Sequence, residues 1–544
     1  MASNILSIGQ SALAAAQVEI NVTGHNIANV STPGYSRQVA IQSSAQAQNF
    51  GYGYVGQGTQ ITAIQRVYSD LLAVQVTNAQ TNSNELNTYA TQMTQIDNLL
   101  ADSSAGLAPA IQDFFKSIQA ASTNPGDSAS RQSVLSTAQA LASRFQGMGE
   151  LLDQIGQDVN SQLTSSVYLV NSYAQQIAKL NDAIEIAQSI NGNPPNDLMD
   201  QRDQVISDLS KQIKATVVQD GSKYNVFIGN GLPLVVGTQT YPLSMANSPT
   251  DAGRLEVSYL NNNGKPTILG SSSLSGGTIG GLLQFREKSL DNIQSQLGLL
   301  GVAISATFNQ QHQLGVDSAG NAGGQFFTVA APSVTASTNN TGTATTTVAI
   351  SNVSALTGSN YRLKFDGTNY TITRLDNGTA QTFPSLPQTL DGLDFSITAG
   401  AVAGDSFLIK PTAQGATSFS VAINNVSKIA LGGTPSSGPG DNRNALLLAG
   451  LQTTSTMLGS TTSYEGAYGQ LVSMVGNKTN ELQVMGKAET EMLSQAVASQ
   501  QSVSGVNLDE EATNLLRYQQ AYQAAGKVMQ IASQMFDVLL HLGG

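Results

Sequence analysis

Histidines and clustered carboxylates are the side chains of this sequence that could act as metal ligands or as acids and bases. The 544 residues contain three histidines (His25, His312 and His541) and no cysteine. A zinc site needs His or Cys ligands at short, regular spacing, and none of the three histidines has such a neighbour. Thiol chemistry and zinc chemistry are therefore not indicated.

Two acidic stretches are also candidates for binding a metal ion. Asp317-Ser-Ala-Gly-Asn321 is similar to the start of a calcium loop, but the spaced third ligand and the terminal Glu are missing. The acids at 509–511 lie where a helix begins, and the positive end of the helix dipole favours them there. We predict no metal, no cofactor and no enzymatic activity.

Composition narrows the possible partners. Charged residues make up only 11% of the chain, against a typical value of about 25%. The 24 basic and 36 acidic residues give a net charge of −12, and the basic residues do not cluster. Nucleic acid and anionic membranes are poor partners for such a surface. Apolar runs are too short for a membrane helix, and the first Lys or Arg is Arg37, so we expect export, if any, without a cleaved signal.

The C-terminal stretch 503–540 carries a heptad repeat without proline. Either Asn507 or Asp509 can cap a helix at its start. A sustained repeat of this kind predicts a long helix with a coiled-coil seam. The seam residues are Leu508, Leu515, Tyr522, Met529 and Phe536, followed three positions later by Tyr518, Ala525, Ala532 and Leu539.

The N-terminal stretch repeats the pattern, with small residues beside the seam. Its seam residues are Leu6, Leu13, Ile20 and Ile27, followed three positions later by Gly9, Ala16, Thr23 and Val30. Small side chains let a second backbone approach closely, so we predict that the two termini are buried by each other and by neighbouring copies. The alternative is an ordinary two-helix closure of a monomer. We expect termini built for assembly to order only when they are buried.

The interior changes periodicity twice, which predicts a nested, multidomain fold that is mainly α with β insertions. The termini, 1–38 and 505–544, would form a coiled-coil assembly domain. Residues 39–327 and 412–504 would form a helical rod domain containing one long helix, or two nearly collinear helices, and a β-hairpin region at 215–270. Residues 328–411, rich in Thr, Ser, Asn and Gly, would form an inserted all-β domain on the outside.

The turn after the first helix carries a family signature. The stretch NVTGHNIANVSTPGYSRQ, ending at Gln38, resembles the N-terminal signature of the axial proteins of the bacterial flagellum, which comprise rod, hook and hook-associated proteins. The stretches YSRQ, GDNRNALLLAGLQ and SGVNLDEE are similar to the hook-associated proteins of the hook–filament junction. The motif residues are Asn26, Ala28, Asn29, Pro33, Gly34 and Tyr35.

The resemblance implies a structural component of the flagellum that joins hook to filament. Its implied partners are the hook protein, a second hook-associated junction protein, copies of itself in a ring or helical layer, and a cytoplasmic export chaperone at the C-terminal helix. It also implies type III export and an extracellular location at the hook–filament junction. Two alternatives stay open: a surface adhesin acting through 328–411, and another flagellar axial protein.

Overall fold

A computed structural model describes residues 2–49, 51, 53–102, 106–261, 264–436 and 438–542. Within them, helices fill both ends of the chain and most of its interior, as the sequence predicts. The α-helices are α1 (Ala2–Ala28), α2 (Asp70–Leu100), α3 (Leu107–Thr123), α4 (Ser128–Asn191), α5 (Asn196–Gln212), α6 (Gly277–Gln284), α7 (Asp291–Gln313), α8 (Arg443–Gly450), α9 (Tyr464–Ser504) and α10 (Leu508–Leu542). A π-helical turn, Phe285–Leu290, joins α6 to α7.

A β-hairpin follows α1 and connects it to the rod. Its strands are β1 (Gln38–Ser44), β2 (Gln48–Asn49), β3 (Tyr54–Val55) and β4 (Thr59–Arg66). β1 pairs antiparallel with β4, with an irregularity between Ile41 and Gln42. The sequence did not predict this pairing.

The long periodic tract forms one helix, α4, rather than two. Its 64 residues span about 95 Å. The Asp127 side chain caps its start by accepting a hydrogen bond from the Ser130 backbone N–H. Gly192 ends it with φ of 69°, in the left-handed region that glycine adopts without steric cost.

The core of the rod is an aromatic cluster between α3, α4 and α7. Its members are fully buried phenylalanines and one tyrosine: Phe114, Phe115, Phe145, Phe308, Phe326, Phe327, Phe419 and Tyr464. The chain at Thr412 lies directly against α7, where a Cβ at Gly298 would lie 1.8 Å from the Thr412 carbonyl oxygen. Only glycine permits this approach.

Two antiparallel sheets lie beside the rod at the predicted β-hairpin region. The first has the order β5-β6-β7-β8 and the second β11-β10-β9. Turns at Gly221 and Gly231, with φ of 60° and 91°, close two hairpins within this region. The strands are β5 (Ala215–Asp220), β6 (Lys223–Ile228), β7 (Leu232–Val236), β8 (Gln239–Thr240), β9 (Leu243–Asn247), β10 (Leu255–Leu260) and β11 (Pro266–Ile268).

The next part of the chain is all β, with a five-stranded sheet ordered β13-β20-β15-β16-β17, a three-stranded sheet ordered β14-β19-β18, and the pair β12-β21. Tyr361, Phe395 and Phe407 are buried between its strands. No helix in the described ranges is long and apolar enough to cross a membrane. The strands are β12 (Phe327–Thr328), β13 (Ser333–Ala336), β14 (Thr346–Ile350), β15 (Tyr361–Phe365), β16 (Tyr370–Arg374), β17 (Ala380–Phe383), β18 (Gln388–Leu390), β19 (Leu393–Ile397), β20 (Ser406–Lys410) and β21 (Ser420–Val421).

Candidate assembly site at the terminal helices

Helices α1 and α10 pack against each other in antiparallel directions. The two helices approach closely at Gly9, where an added Cβ would lie 2.8 Å from the Met529 Cγ. The residues buried along the pair are mostly small, which explains the short distance between the two backbones. They are Gly9, Ala15, Ala16, Val22, Thr23 and Asn26 on α1, and Glu511, Ala525 and Ala532 on α10.

The large seam residues flank this contact instead of filling it. Leu13, Ile20, Ile27, Leu515 and Met529 are half-buried. The exposed fractions of Leu6, Leu508, Tyr522 and Phe536 are 41%, 50%, 39% and 53%. The side chain of Leu539 lies outside the described residues. The small residues three positions after the seam make the contact within one chain.

Further apolar side chains are exposed along α10. Leu516, Ile531 and Val538 are 61%, 53% and 57% exposed, and Met535 is 41% exposed. Monomeric proteins rarely leave so many large apolar side chains accessible on one helix. The pair therefore presents an apolar surface that a single chain does not cover.

Asn26 organises the turn after α1. Its Oδ1 accepts hydrogen bonds from the Tyr35 hydroxyl at 2.7 Å and from the Gln38 backbone N–H at 2.9 Å. Its Nδ2 donates to the Gln38 carbonyl oxygen at 2.9 Å. Because Asn26 is only 1% exposed, water cannot replace these bonds. This motif residue therefore fixes the turn in one geometry.

The turn rests on three aspartates of α5, which we call the α5 acids: Asp197, Asp200 and Asp203. Asp200 accepts from the Ser36 backbone N–H at 2.9 Å, and Asp197 accepts from the Gln38 Nε2 at 2.7 Å. From β4, the Arg66 guanidinium donates to Asp200 at 2.8 Å and to Asp203 at 2.6 Å. These carboxylates raise the pKa of Arg66 against the effect of its burial.

Sequence reasoning missed the α5 acids. The signal was present, since three aspartates at intervals of three residues lie on one face of a helix. Like charges at that spacing destabilise a helix, so a cation or several N–H groups are expected to face them.

The other motif residues shape the same turn. Gly34 has a φ of +76°, and an added Cβ would lie 3.0 Å from the Gln204 Cβ. Asn29 Nδ2 donates to the His25 carbonyl oxygen at 3.0 Å, which closes the last turn of α1. Ala28 and Pro33 are exposed, and the structure gives Ala28 no role beyond ending α1.

The turn also reaches α10. Arg37 lies 2.7 Å from the Glu510 carboxylate, and its backbone N–H donates to the Ser504 carbonyl oxygen at 2.8 Å. Of the two predicted caps it is Asn507 that caps α10, because its Oδ1 accepts from the Asp509 backbone N–H at 3.0 Å. The turn, the α5 acids and the start of α10 form one unit, which we call the joint.

The remaining titratable candidates have structural partners. His312 is buried, with Nδ1 2.8 Å from the Gly324 carbonyl oxygen and Nε2 accepting from the Ala430 backbone N–H at 2.9 Å. Burial lowers its pKa. Burial opposes ionisation of Asp317, but backbone N–H groups of Asn321 and Ala319 outweigh it and lower its pKa. Among the described residues no group of three or more His, Cys, Asp or Glu side chains could hold a metal ion.

His25 and His541 are both exposed, and they lie apart from His312. His25 Nε2 is 3.4 Å from an Asp197 carboxylate oxygen at the edge of the joint. The structure therefore brings no two of the three histidines together.

Comparison with known proteins first identifies the class from the two helices of the terminal pair. The family model "Flagella basal body rod protein" matches residues 6–35, and "Flagellar basal body rod FlgEFG protein C-terminal" matches residues 499–542. These helices and the joint between them therefore define a flagellar axial protein.

The interior and the full-length relatives identify the family. The model "Flagellar hook-associated protein FlgK helical domain" matches residues 93–327, and "Flagellar hook-associated protein 1, D2-like domain" matches residues 335–411. Flagellar hook-associated protein 1 of Escherichia coli (strain K12) is 36% identical, over 99% of this chain and 100% of the relative. The relative of the same name in Salmonella typhimurium is 37% identical, with the same coverage.

A solved structure agrees with these relatives. The flagellar hook junction protein FlgK from Burkholderia pseudomallei is 32% identical and superposes with a TM-score of 0.75, covering 79% of this chain and 100% of that one. The chain belongs to the flagellar hook-associated protein 1 family. It is a structural component of the flagellum at the hook–filament junction, and the predicted family and fold class are confirmed.

Proposed function

We propose that this protein forms a ring or short helical layer of copies between the hook and the filament. The hook protein contacts one side of the layer, and a second hook-associated junction protein contacts the other. The apolar surface that α10 leaves exposed carries the proposal, because neighbouring subunits are what would cover it. Fully burying one such side chain contributes about 1.5–3 kcal/mol, so several half-exposed ones give a substantial contact.

The domains then take different radial positions. Residues 1–38 and 505–544 form the inner assembly domain, and 39–327 with 412–504 form the next shell. Residues 328–411 form the outer surface. A terminal pair at the axis suits subunits that touch mainly through helices, whereas a polar β domain suits contact with water.

The protein works outside the cell, at the hook–filament junction, and reaches it by the flagellum's own type III export route without a cleaved signal. Amino-terminal sequencing of the protein from isolated flagella tests this proposal. A sequence starting at Met1 or Ala2 is expected, and a start several residues further along would contradict export without cleavage.

Before export, a cytoplasmic chaperone binds the C-terminal helix and covers the same apolar surface. Removing residues 505–544 should therefore abolish binding of the cognate export chaperone, measured by calorimetry. A protein lacking residues 328–411 is the control and should bind normally. Unchanged affinity after the first deletion would refute the assignment.

The decisive test of assembly is Met529→Asp in cells that lack the native protein. A carboxylate at this half-buried position opposes the α1 contact, so we expect no motility and no junction, while the rod stays folded by circular dichroism. Gln523→Asp, on an exposed position of the same helix, is the matched control and should restore motility. Normal motility with Met529→Asp would contradict the proposal.

A further inference from the structure

Asparagine followed by glycine is the pair of residues in which the side-chain amide is lost most readily. The backbone nitrogen of the glycine attacks the asparagine Cγ, and glycine has no side chain to obstruct that approach. The nitrogen must be free of any hydrogen bond that it donates before it can react. The sequence contains four such pairs, at 191–192, 230–231, 263–264 and 377–378. The fold therefore decides which of them reacts.

The backbone holds the glycine nitrogens of three of these pairs. In each case the N–H donates to a carbonyl oxygen a few residues earlier in the chain. That hydrogen bond would have to open before the nitrogen could attack, so the fold protects these pairs. The bonds run from Gly192 to Gln188 at 2.8 Å, from Gly264 to Asn261 at 2.8 Å and from Gly378 to Arg374 at 3.0 Å.

The Gly231 N–H differs, since it donates no hydrogen bond within the part of the chain that the structure describes. Gly231 lies at the tip of the hairpin that joins β6 to β7, just before the paired residues Ile228 and Leu232 close the ladder. Both Asn230 and Gly231 are exposed, and an added Cβ at Gly231 would meet open space. Solvent therefore reaches the reacting nitrogen directly.

The side chains of the two exposed pairs are also held differently. Asn230 Nδ2 donates to the Ser273 Oγ at 3.2 Å, an exposed contact with a hydroxyl that can rotate away. Asn377 Oδ1 accepts from the Thr379 backbone N–H at 2.9 Å. At 377–378 both the carboxamide and the attacking nitrogen are therefore engaged by backbone groups, whereas at 230–231 neither is.

We infer that Asn230 is a site of spontaneous deamidation. The Gly231 nitrogen bonds to the Asn230 Cγ, the Cγ–Nδ2 bond breaks, and the departing amino group takes up the proton of the Gly231 nitrogen to leave as ammonia. Water then opens the resulting succinimide ring at either carbonyl carbon, which gives aspartate or isoaspartate. The reaction takes up water, releases ammonia and requires no enzyme or cofactor.

The products alter the tip of this hairpin. Isoaspartate carries the backbone through its β-carbon, so the turn becomes longer, and either product adds a negative charge. The neighbouring Gly229 has little room for such a change, because an added Cβ there would lie 2.2 Å from the Ser273 carbonyl oxygen. Deamidation at Asn230 therefore changes how the hairpin packs against the segment that precedes α6.

Timed incubation of the purified full-length protein in mildly alkaline buffer tests the inference. Peptide mass spectrometry after digestion in acid, where deamidation is slow, measures conversion at Asn230 and Asn377 in the same sample. We expect conversion to be about tenfold faster at Asn230, since a backbone hydrogen bond of ordinary strength must open first at Gly378. Equal rates, or a faster rate at Asn377, would overturn the inference.

Two controls separate the effect of the fold from that of the local sequence. In guanidinium chloride both pairs should convert at similar rates, and Asn377 remaining slow in the unfolded chain would show that the fold does not protect it. Asn230→Gln should abolish conversion in the peptide that contains position 230, with circular dichroism checking the fold. Conversion that persists in this variant would assign the reaction to Asn225 in the same hairpin and would also overturn the inference.

Discussion

At the scale of single residues, the signature motif is explained by the joint. Asn26 satisfies three groups of the turn at once, and Tyr35 needs it as a hydrogen-bond acceptor. Gly34 is required for two reasons, its positive φ and the Gln204 side chain beside it. The motif is therefore a structural unit that holds the turn in one geometry.

Gly34→Ala should destabilise the joint by about 1–3 kcal/mol, because alanine adopts positive φ poorly and its Cβ would contact Gln204. Gly24→Ala is the matched control. Gly24 lies in α1 with no atom near an added Cβ, so that change should stabilise the helix by about 0.5–1 kcal/mol. Amide exchange at Gln38, whose N–H bonds to Asn26, reports on the turn. Equal exchange rates in the two variants would contradict this account.

His312 should make stability depend on pH. Burial lowers its pKa below the value of about 6.5 in an unfolded chain, so the unfolded state binds more protons. Stability should therefore be complete above pH 6.5 and fall as the pH drops below it. Guanidinium unfolding at a series of pH values measures this. His312→Gln cannot be protonated and should flatten the dependence, whereas His541→Gln, at an exposed position, should leave it unchanged.

At the scale of elements, long helices were predictable and their partners were less so. Steps of three and four residues continue throughout α4, so its single 64-residue helix follows from local pattern. Strands β1 and β9 were missed because they gain stability only by pairing with other strands, β1 with β4 and β9 with β10. The five-stranded sheet places β20 between β13 and β15, an order that no local pattern contains.

In the candidate assembly site, too, the helices could be predicted from the sequence but their contacts could not. Heptad spacing identified the two terminal helices, but it did not reveal that small residues make their contact while Leu508 and Phe536 stay exposed. The exposure of these seam residues depends on how closely the two helix backbones approach, and the absence of a side chain at Gly9 permits the close approach. The α5 acids were missed because their partners, such as Arg66, lie far away in the sequence.

Gly9→Val should separate α1 from α10. The added methyl groups would overlap Met529, and such overpacking costs about 1–3 kcal/mol. Gly24→Val is the control, since its Cβ would meet open space. A cysteine pair at Leu13 and Ala525 would form a disulfide in the control background. Undiminished cross-linking in Gly9→Val would argue against the close approach.

At the scale of the whole molecule, the fold is nested in sequence order. The first and last helices pair with each other, and the chain between them forms the helical rod and its β insertions. Charged contacts attach the β domain of residues 328–411 to that rod. Lys410 lies 2.5 Å from Asp251, and Arg254 bridges Asp251 and Asp291. The rod has a large apolar core, and ion pairs join the β domain to it. The terminal pair, by contrast, is held by a contact of mostly small residues.

This contrast predicts different opening free energies in the free monomer. Amide exchange should be fast in α1 and α10 and slow across 134–190, because little apolar area is buried between the terminal helices of one chain. Mass spectrometry of exchanged peptides measures both regions. Slow exchange at both ends of a dilute monomer would show that the pair is stable without neighbours, and it would contradict ordering on assembly.

The pairing of α1 with α10 also bears on synthesis. An amino-terminal helix whose partner is encoded near the other end of the gene stays unmatched until translation is nearly finished. A polypeptide cut short by a nonsense codon or a protease would keep its middle intact and still be unable to lock into the growing structure. Incorporation would then discriminate against incomplete molecules without a separate inspection step.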